Sequence, residues 1–343
     1  MAQARGSATG GRQVKATAAR RVRSLRMLGA GGVAAGVLLA AVQGCAAHIP
    51  APRGSSRTGP AAAGPSATER DPAVRAPAQG PLIAGTLRPA SPSPSSSPAQ
   101  DPLGTAAASY IASRSGTVVA AVSDVSTGRT WTLGPPHPQA EASIVKLDIL
   151  ETLYARGGGP AGLSTGDQAL AQQMMEDSDN SAATSLWNDV GGPATIQSFN
   201  AAAGLTHTAP SSCVTCPGFA WPGWGLSTTT PADQIALLRQ IVKPSTLLTD
   251  EQRRAALQFM ENVDPSQRWG ITGGVPSRVT VAVKDGWLPL NSASTDWQIN
   301  SIGWVSGSGR DYLMAVLTTG NPTQQYGIDT INGLSAIVWG RMG

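Results

Sequence analysis

A serine and a lysine stand three residues apart in Ser143-Ile144-Val145-Lys146, just after a polar stretch from His137 to Ala142 and just before an apolar helical pattern. Residues i and i+3 share one face of a helix, so the ammonium of Lys146 can lie beside the hydroxyl of Ser143. At a helix start, free backbone N–H groups and the dipole also favour developing negative charge. This arrangement can activate a serine nucleophile without histidine. Taken alone, the spacing is a weak signal, and the start of a surface helix is the plainer reading.

Two later triplets give the first one a context. Ser178-Asp179-Asn180 follows a short helical pattern, and Lys284-Asp285-Gly286 closes an alternating apolar run from Val279 to Val283. Ser-x-x-Lys, Ser-Asp-Asn and a Lys-x-Gly triplet, in this order, resemble the motif set of the class A β-lactamases and penicillin-binding proteins. The resemblance extends from about Thr105 to Gly343. It includes Ser181-Ala182-Ala183, Val190-Gly191-Gly192-Pro193, Thr228-Thr229-Thr230-Pro231-Ala232 and Leu317-Thr318-Thr319-Gly320.

The resemblance implies a role for each matching residue. Ser143 is the nucleophile, and Lys146 is the general base for acylation if burial and neighbouring charge lower its pKa. Ser178 relays a proton to the leaving group. Asn180 orients the acyl side chain and helps position Lys146, while Lys284 adds positive potential. Gly286 belongs to the same triplet. The backbone N–H groups of Ser143 and Trp287 form the oxyanion hole, each worth about 3–4 kcal/mol in comparable sites. The plainer alternatives are that Ser178 and Asn180 cap the following helix, and that Lys284 pairs with Asp285 on an exposed strand edge.

The elements that must hold these residues can be read from periodicity and turn signals. Thr105 to Arg114 reads as a first helix, with strands at Thr117 to Val125 and Thr130 to Leu133. Helices follow at Ile144 to Tyr154, Gly166 to Met175, Ala182 to Asn188, Pro193 to Ala203, Pro231 to Ile241 and Asp250 to Glu261. Strands at Arg278 to Lys284, Gln298 to Ser306 and Asp311 to Thr318 precede a last helix, Tyr326 to Arg341. Strands at both ends with helices between them predict an α+β fold: an antiparallel sheet flanked by the terminal helices, with a helical lobe inserted. The site is expected in the cleft between the two parts.

The departures from the family pattern bear on turnover. The resemblance implies an Ω-loop glutamate that activates water for deacylation, yet no Glu occurs between Glu176 and Glu251. Asp189 is the only carboxylate between Asn180 and Thr228. General base catalysis contributes about 10²–10⁴-fold, so slow deacylation is expected. Asp285 stands where the family has a hydroxyl that helps bind a substrate carboxylate, Trp287 is bulky for its place, and Gln298 to Gly307 contains no arginine. The stretch from Lys146 to Ser178 is little more than half the family's usual length, which predicts a shortened helical lobe and a more open cleft on that side.

Cys213 and Cys216 are the only cysteines besides Cys45. In an exported chain they predict a disulfide, with free thiols or a metal pair as the alternatives. His48, His137 and His207 lie in linker or loop positions, which leaves a Ser-His-Asp triad as a further alternative. Trp221, Trp224, Trp269 and Trp287 either line the cleft or pack the loop down. No cofactor or metal is implied.

Residues 1–44 read as an export signal: Arg20-Arg21, Arg23 and Arg26 precede an apolar stretch, Met27 to Val42. Val42-Gln43-Gly44-Cys45 resembles a bacterial lipobox, in which Cys45 becomes the lipidated N-terminus. An uncleaved anchor, or cleavage at a nearby Ala-x-Ala-like site, is the alternative, although the run is shorter than the roughly 20 residues of a full span. Residues 45–104, rich in Pro, Ala, Ser and Gly, form a tether that cannot bury enough apolar surface to order itself. Residues 105–343 form the catalytic domain.

The whole chain of 343 residues has a formal net charge of +4, but the signal holds seven of the 25 Lys and Arg and no acid, so the mature chain carries a net of −3. Its globular part shows no basic patch for nucleic acid. The expected partners are a small-molecule or peptidoglycan-derived substrate and the membrane, through the lipid, with the domain a monomer. Its expected location is the outer face of the cell membrane, or secretion. Two functions stand: a serine hydrolase acylated at Ser143 by a β-lactam or a related amide or ester, and a wall-associated binding protein that keeps the fold with little turnover.

Overall fold

A computed structural model describes residues 100–343. The export signal, Cys45 and nearly all of the tether lie outside the described residues. Five strands form one antiparallel sheet in the order β2-β1-β7-β6-β5: β1 (Thr117–Asp124), β2 (Thr130–Leu133), β5 (Thr280–Pro289), β6 (Trp297–Gly307) and β7 (Arg310–Asn321). Helices α1 (Thr105–Ala112) and α8 (Gln324–Arg341) belong to one side of it. The other side meets α2 (Val145–Gly157), α3 (Thr165–Glu176), α4 (Asn180–Asp189), α5 (Gly192–Ala203), α6 (Pro231–Val242) and α7 (Asp250–Glu261).

The period-2 alternation of side chains along each strand separates two cores. On β1, Val118, Ala120 and Val122 join the core under the terminal helices, whereas Val119 and Ala121 join the core of the helical lobe. On β5, Val281 and Val283 face the terminal helices and Ala282 faces the lobe. Lys284 and Gly286 therefore continue the lobe face, and Asp285 continues the other.

Local sequence starts the helices where the site needs them. Asp179 caps α4, its carboxylate accepting from the Ala182 N–H at 2.7 Å. Thr230 caps α6 ahead of Pro231, and Thr249 with Gln252 forms a capping box on α7. The α+β architecture expected from the sequence is the observed one. Strand β5 runs past Lys284 to Pro289, because pairing with β6 carries it beyond the apolar alternation. Two short strands, β3 (Gln139–Ala140) and β4 (Thr228–Thr229), pair with each other next to the site. Two residues each are too few to leave a periodic signal.

Candidate active site

Ser143 sits in a single 3-10 turn, Ala142–Ile144, that leads into α2. The segment before it is held firmly. The Glu141 N–H donates to the Ser227 carbonyl at 2.7 Å, and the Asn300 amide donates to the carbonyls of Ala140 and Glu141, each at 2.8 Å. Ala142, just before the serine, has a left-handed backbone with φ 50°.

Lys146 is fully buried, and its ammonium is the hub of the cluster. Its Nζ donates to Ser143 Oγ at 3.1 Å, to Ser178 Oγ at 3.0 Å, to the Ser178 carbonyl at 2.6 Å and to Asn180 Oδ1 at 2.9 Å. Ser178 reaches this position with a left-handed φ of 54°. Lys284 Nζ donates to the same Ser178 hydroxyl at 3.1 Å and to the Asp285 carbonyl at 3.1 Å. One hydroxyl thus lies between two ammonium groups. Burial holds the Lys146 pKa well below the ordinary lysine value, the Lys284 charge lowers it further, and Asp179 opposes them. Helix capping belongs to Asp179, leaving Ser178 and Asn180 free to face Lys146.

Gly286 sets the approach of β5 to the nucleophile. A β-carbon there would lie 2.7 Å from the Ser143 nitrogen and 2.9 Å from that of Ile144. Only glycine lets the strand backbone come this close to the start of α2. Trp287, next along the strand, packs its ring against Trp269 with centroids 6.1 Å apart and lines the hollow over Ser143.

Asp285 is not brought into this cluster. Its carboxylate accepts from the Trp269 N–H at 3.1 Å on the face opposite Lys284. Only 1% of Asp285 is exposed, so a pairing of Lys284 with Asp285 on an exposed edge does not occur. Burial pushes Asp285 up to about 8, against the pull of Ser301, Trp269 and Lys284. Burial pulls Lys284 down to about 8, against Asp285.

The segment after α5 covers the cluster from the other side. Cys213 and Cys216 are joined in a disulfide. Gly223 lies against it, because a β-carbon there would collide with Cys216 Sγ and the Cys213 carbonyl. The buried Trp224 ring stands 5.1 Å from Lys146 Nζ and donates its indole N–H to Thr184 on α4 at 3.0 Å. Trp224 therefore both packs the segment down and lines the hollow, the two alternatives its sequence position left open. Asp189 is exposed at the far end of α4, about 13 Å along the axis from Asn180 at 1.5 Å per residue. His137 and His207 are exposed, and His207 bonds Thr206 rather than Ser143.

A second group of titratable side chains lies buried behind the nucleophile. Asp148 and Glu151 on α2 are buried, as is Glu141. Burial pushes Asp148 up to about 7, with Asn200 and Thr152 opposing. Burial and the Asp148 charge raise Glu141 and Glu151 well above the ordinary carboxylate range. No sequence signal marked these acids: Asp148 and Glu151 fall on an otherwise apolar helix pattern, and Glu141 falls in the polar stretch before it. Among the described residues, no three His, Cys, Asp or Glu are arranged to hold a metal ion.

Comparison with known proteins places the chain among relatives. The family model described as the β-lactamase enzyme family matches residues 159–342. Proteins of Mycobacterium tuberculosis and Mycobacterium bovis whose names contain "lipoprotein LppW" are 30% identical over 207 residues, 58% of this chain. The chain spans 62% of the length of these curated relatives. A class A β-lactamase from Mycobacterium abscessus is 23% identical, with a TM-score of 0.57 over 68% of this chain and 96% of its own. The TLA-1 extended-spectrum β-lactamase is 18% identical, with a TM-score of 0.61 over 71% of this chain and 99% of its own. These likenesses establish a class A-type fold.

Proposed function

The chain belongs to the β-lactamase enzyme family, and from that premise we propose that it is an exported serine hydrolase that forms an acyl-enzyme on Ser143 and releases it slowly. One observation carries the reading: the buried Lys146 Nζ stands 3.1 Å from Ser143 Oγ and 3.0 Å from Ser178 Oγ. A lysine whose pKa is lowered by burial is neutral in a useful fraction of molecules, and a neutral amine can take the proton of a hydroxyl at hydrogen-bond distance.

In the proposed reaction Ser143 Oγ adds to an amide or ester carbonyl while its proton moves to Lys146 Nζ. The backbone N–H groups of Ser143 and Trp287 stabilise the oxyanion, the approach of the two segments resting on Gly286. The bond to the leaving group breaks, and Ser178, between both lysines, passes the proton to it. Asn180 holds Lys146 in place. Slow release rests on the other side of Lys146, where the Trp224 indole takes the space beside the amine that a water and its activating carboxylate need. The alternative, a binding protein that keeps the fold with little or no turnover, is the reading that the absence of an acyl adduct would favour.

The lipobox-like Cys45 and the names of the mycobacterial relatives support a mature protein anchored by lipid at the outer face of the membrane. Intact-mass spectrometry with a fluorophosphonate and a fluorescent penicillin tests the core of the reading. A stoichiometric adduct on Ser143 that Ser143→Ala abolishes is the expected result, and no adduct with either probe sinks it.

A further inference from the structure

The hollow above Ser143 is small and uncharged. It is lined by Trp221, Pro222, Trp224, Trp287 and Leu288 around Ser143. This lining offers apolar contact to a group that lies over the serine. Half-buried Trp221 and Trp287 present apolar surface to it.

Among the described residues, none of those lining the hollow carries a charge. The two nearby cations are 0% and 1% exposed and already engaged, Lys146 with four acceptors and Lys284 with Ser178 and the Asp285 carbonyl. A carboxylate entering this space would lose its water and meet no free cation, which is costly.

We infer that the acyl site selects neutral esters or amides carrying an apolar or aromatic group beside the scissile carbonyl, and discriminates against substrates with a carboxylate there. The inference rests on Ser143 being the nucleophile. With an ester, the Ser143 Oγ–carbonyl carbon bond forms and the carbon–alkoxide bond breaks. The serine proton travels through Lys146 and Ser178 to the alkoxide, and a neutral alcohol departs.

Acylation rates measured by stopped flow with 4-nitrophenyl phenylacetate, and with the same ester bearing a 4-carboxylate on the ring, decide the matter. The neutral ester is expected to acylate Ser143 at least tenfold faster, and the methyl ester of benzylpenicillin at least as fast as its free acid. Trp221→Arg, which puts a cation at the rim, is expected to narrow the first ratio. Equal rates, a preference for the carboxylate, or no acylation by either ester in a preparation that a fluorophosphonate labels would each overturn the selectivity. Failure of the fluorophosphonate itself would instead overturn the choice of nucleophile.

Discussion

The two sides of Lys146 differ sharply. On one side four oxygen acceptors, three of them from Ser143 and Ser178 and one from Asn180, surround its amine within 3.1 Å. On the other lies an indole face, tied down by Thr184 and backed by a disulfide-closed segment. The first side is equipped to form a covalent bond, and the second is dry. In the proposed hydrolase, capture and release would thus be separable, built by different segments: three short motifs on rigid elements for the first, and one loop for the second.

The comparison can be broken most strongly on the polar side. Lys146→Met keeps the length and removes the amine, and should lower the rate of Ser143 acylation by about 10²–10⁴-fold. A loss under tenfold, read by mass spectrometry in a folded variant, would remove Lys146 as the base. Gly286→Ala drives a methyl group into the start of α2 and should cost on the order of 10²-fold in acylation through the oxyanion donors. Unchanged kinetics there would detach β5 from the chemistry.

On the dry side, Trp224→Glu places a carboxylate beside Lys146 and should shorten the acyl-enzyme lifetime about tenfold or more. An unaltered lifetime in a folded variant would mean that the indole is not what delays release. The charge around the amine gives a subtler test. Lys284 lowers the Lys146 pKa, so Lys284→Gln should move the rising, acidic limb of the acylation rate profile to higher pH. A shift to lower pH would contradict the arrangement.

Much of the polar side was legible in the sequence because it depends on spacing. Ser143 and Lys146 are one turn apart, and Ser178 and Asn180 flank a cap, so local rules position them. The long strands were legible from their alternation. What escaped has non-local causes. The extension of β5 through Asp285 to Pro289 depends on pairing with β6. The brace of Asn300 on Ala140 and Glu141 joins residues about 160 apart. The opposite facing of Lys284 and Asp285 followed from alternation, but whether Asp285 reached the cleft depended on where the β5 face lay. Trp224 could not be placed beside Lys146 from sequence, since only the fold brings the loop to α2.

The smallest expected effect concerns stability rather than rate. Asp148, Glu141 and Glu151 bind protons more tightly in the folded protein than in the unfolded chain. Their contribution is then fully present below the ordinary carboxylate range and declines as pH rises towards and beyond about 7. The Tm should fall by a few degrees between pH 5 and pH 8, and Glu151→Gln should flatten that slope. A Tm that climbs over this interval, with the same slope in the variant, would show that these acids are not held protonated.

Ala142 and Ser178 both adopt a backbone that L-residues with a β-carbon resist, at a cost of about 1 kcal/mol or more each. Glycine would relax either turn. At 178 it would also delete the hydroxyl shared by the two lysines, and at 142 it would loosen the residue that aims the nucleophile. A screen for thermal robustness alone would therefore drift toward glycine at these positions, yielding hardier proteins that have lost the ability to react.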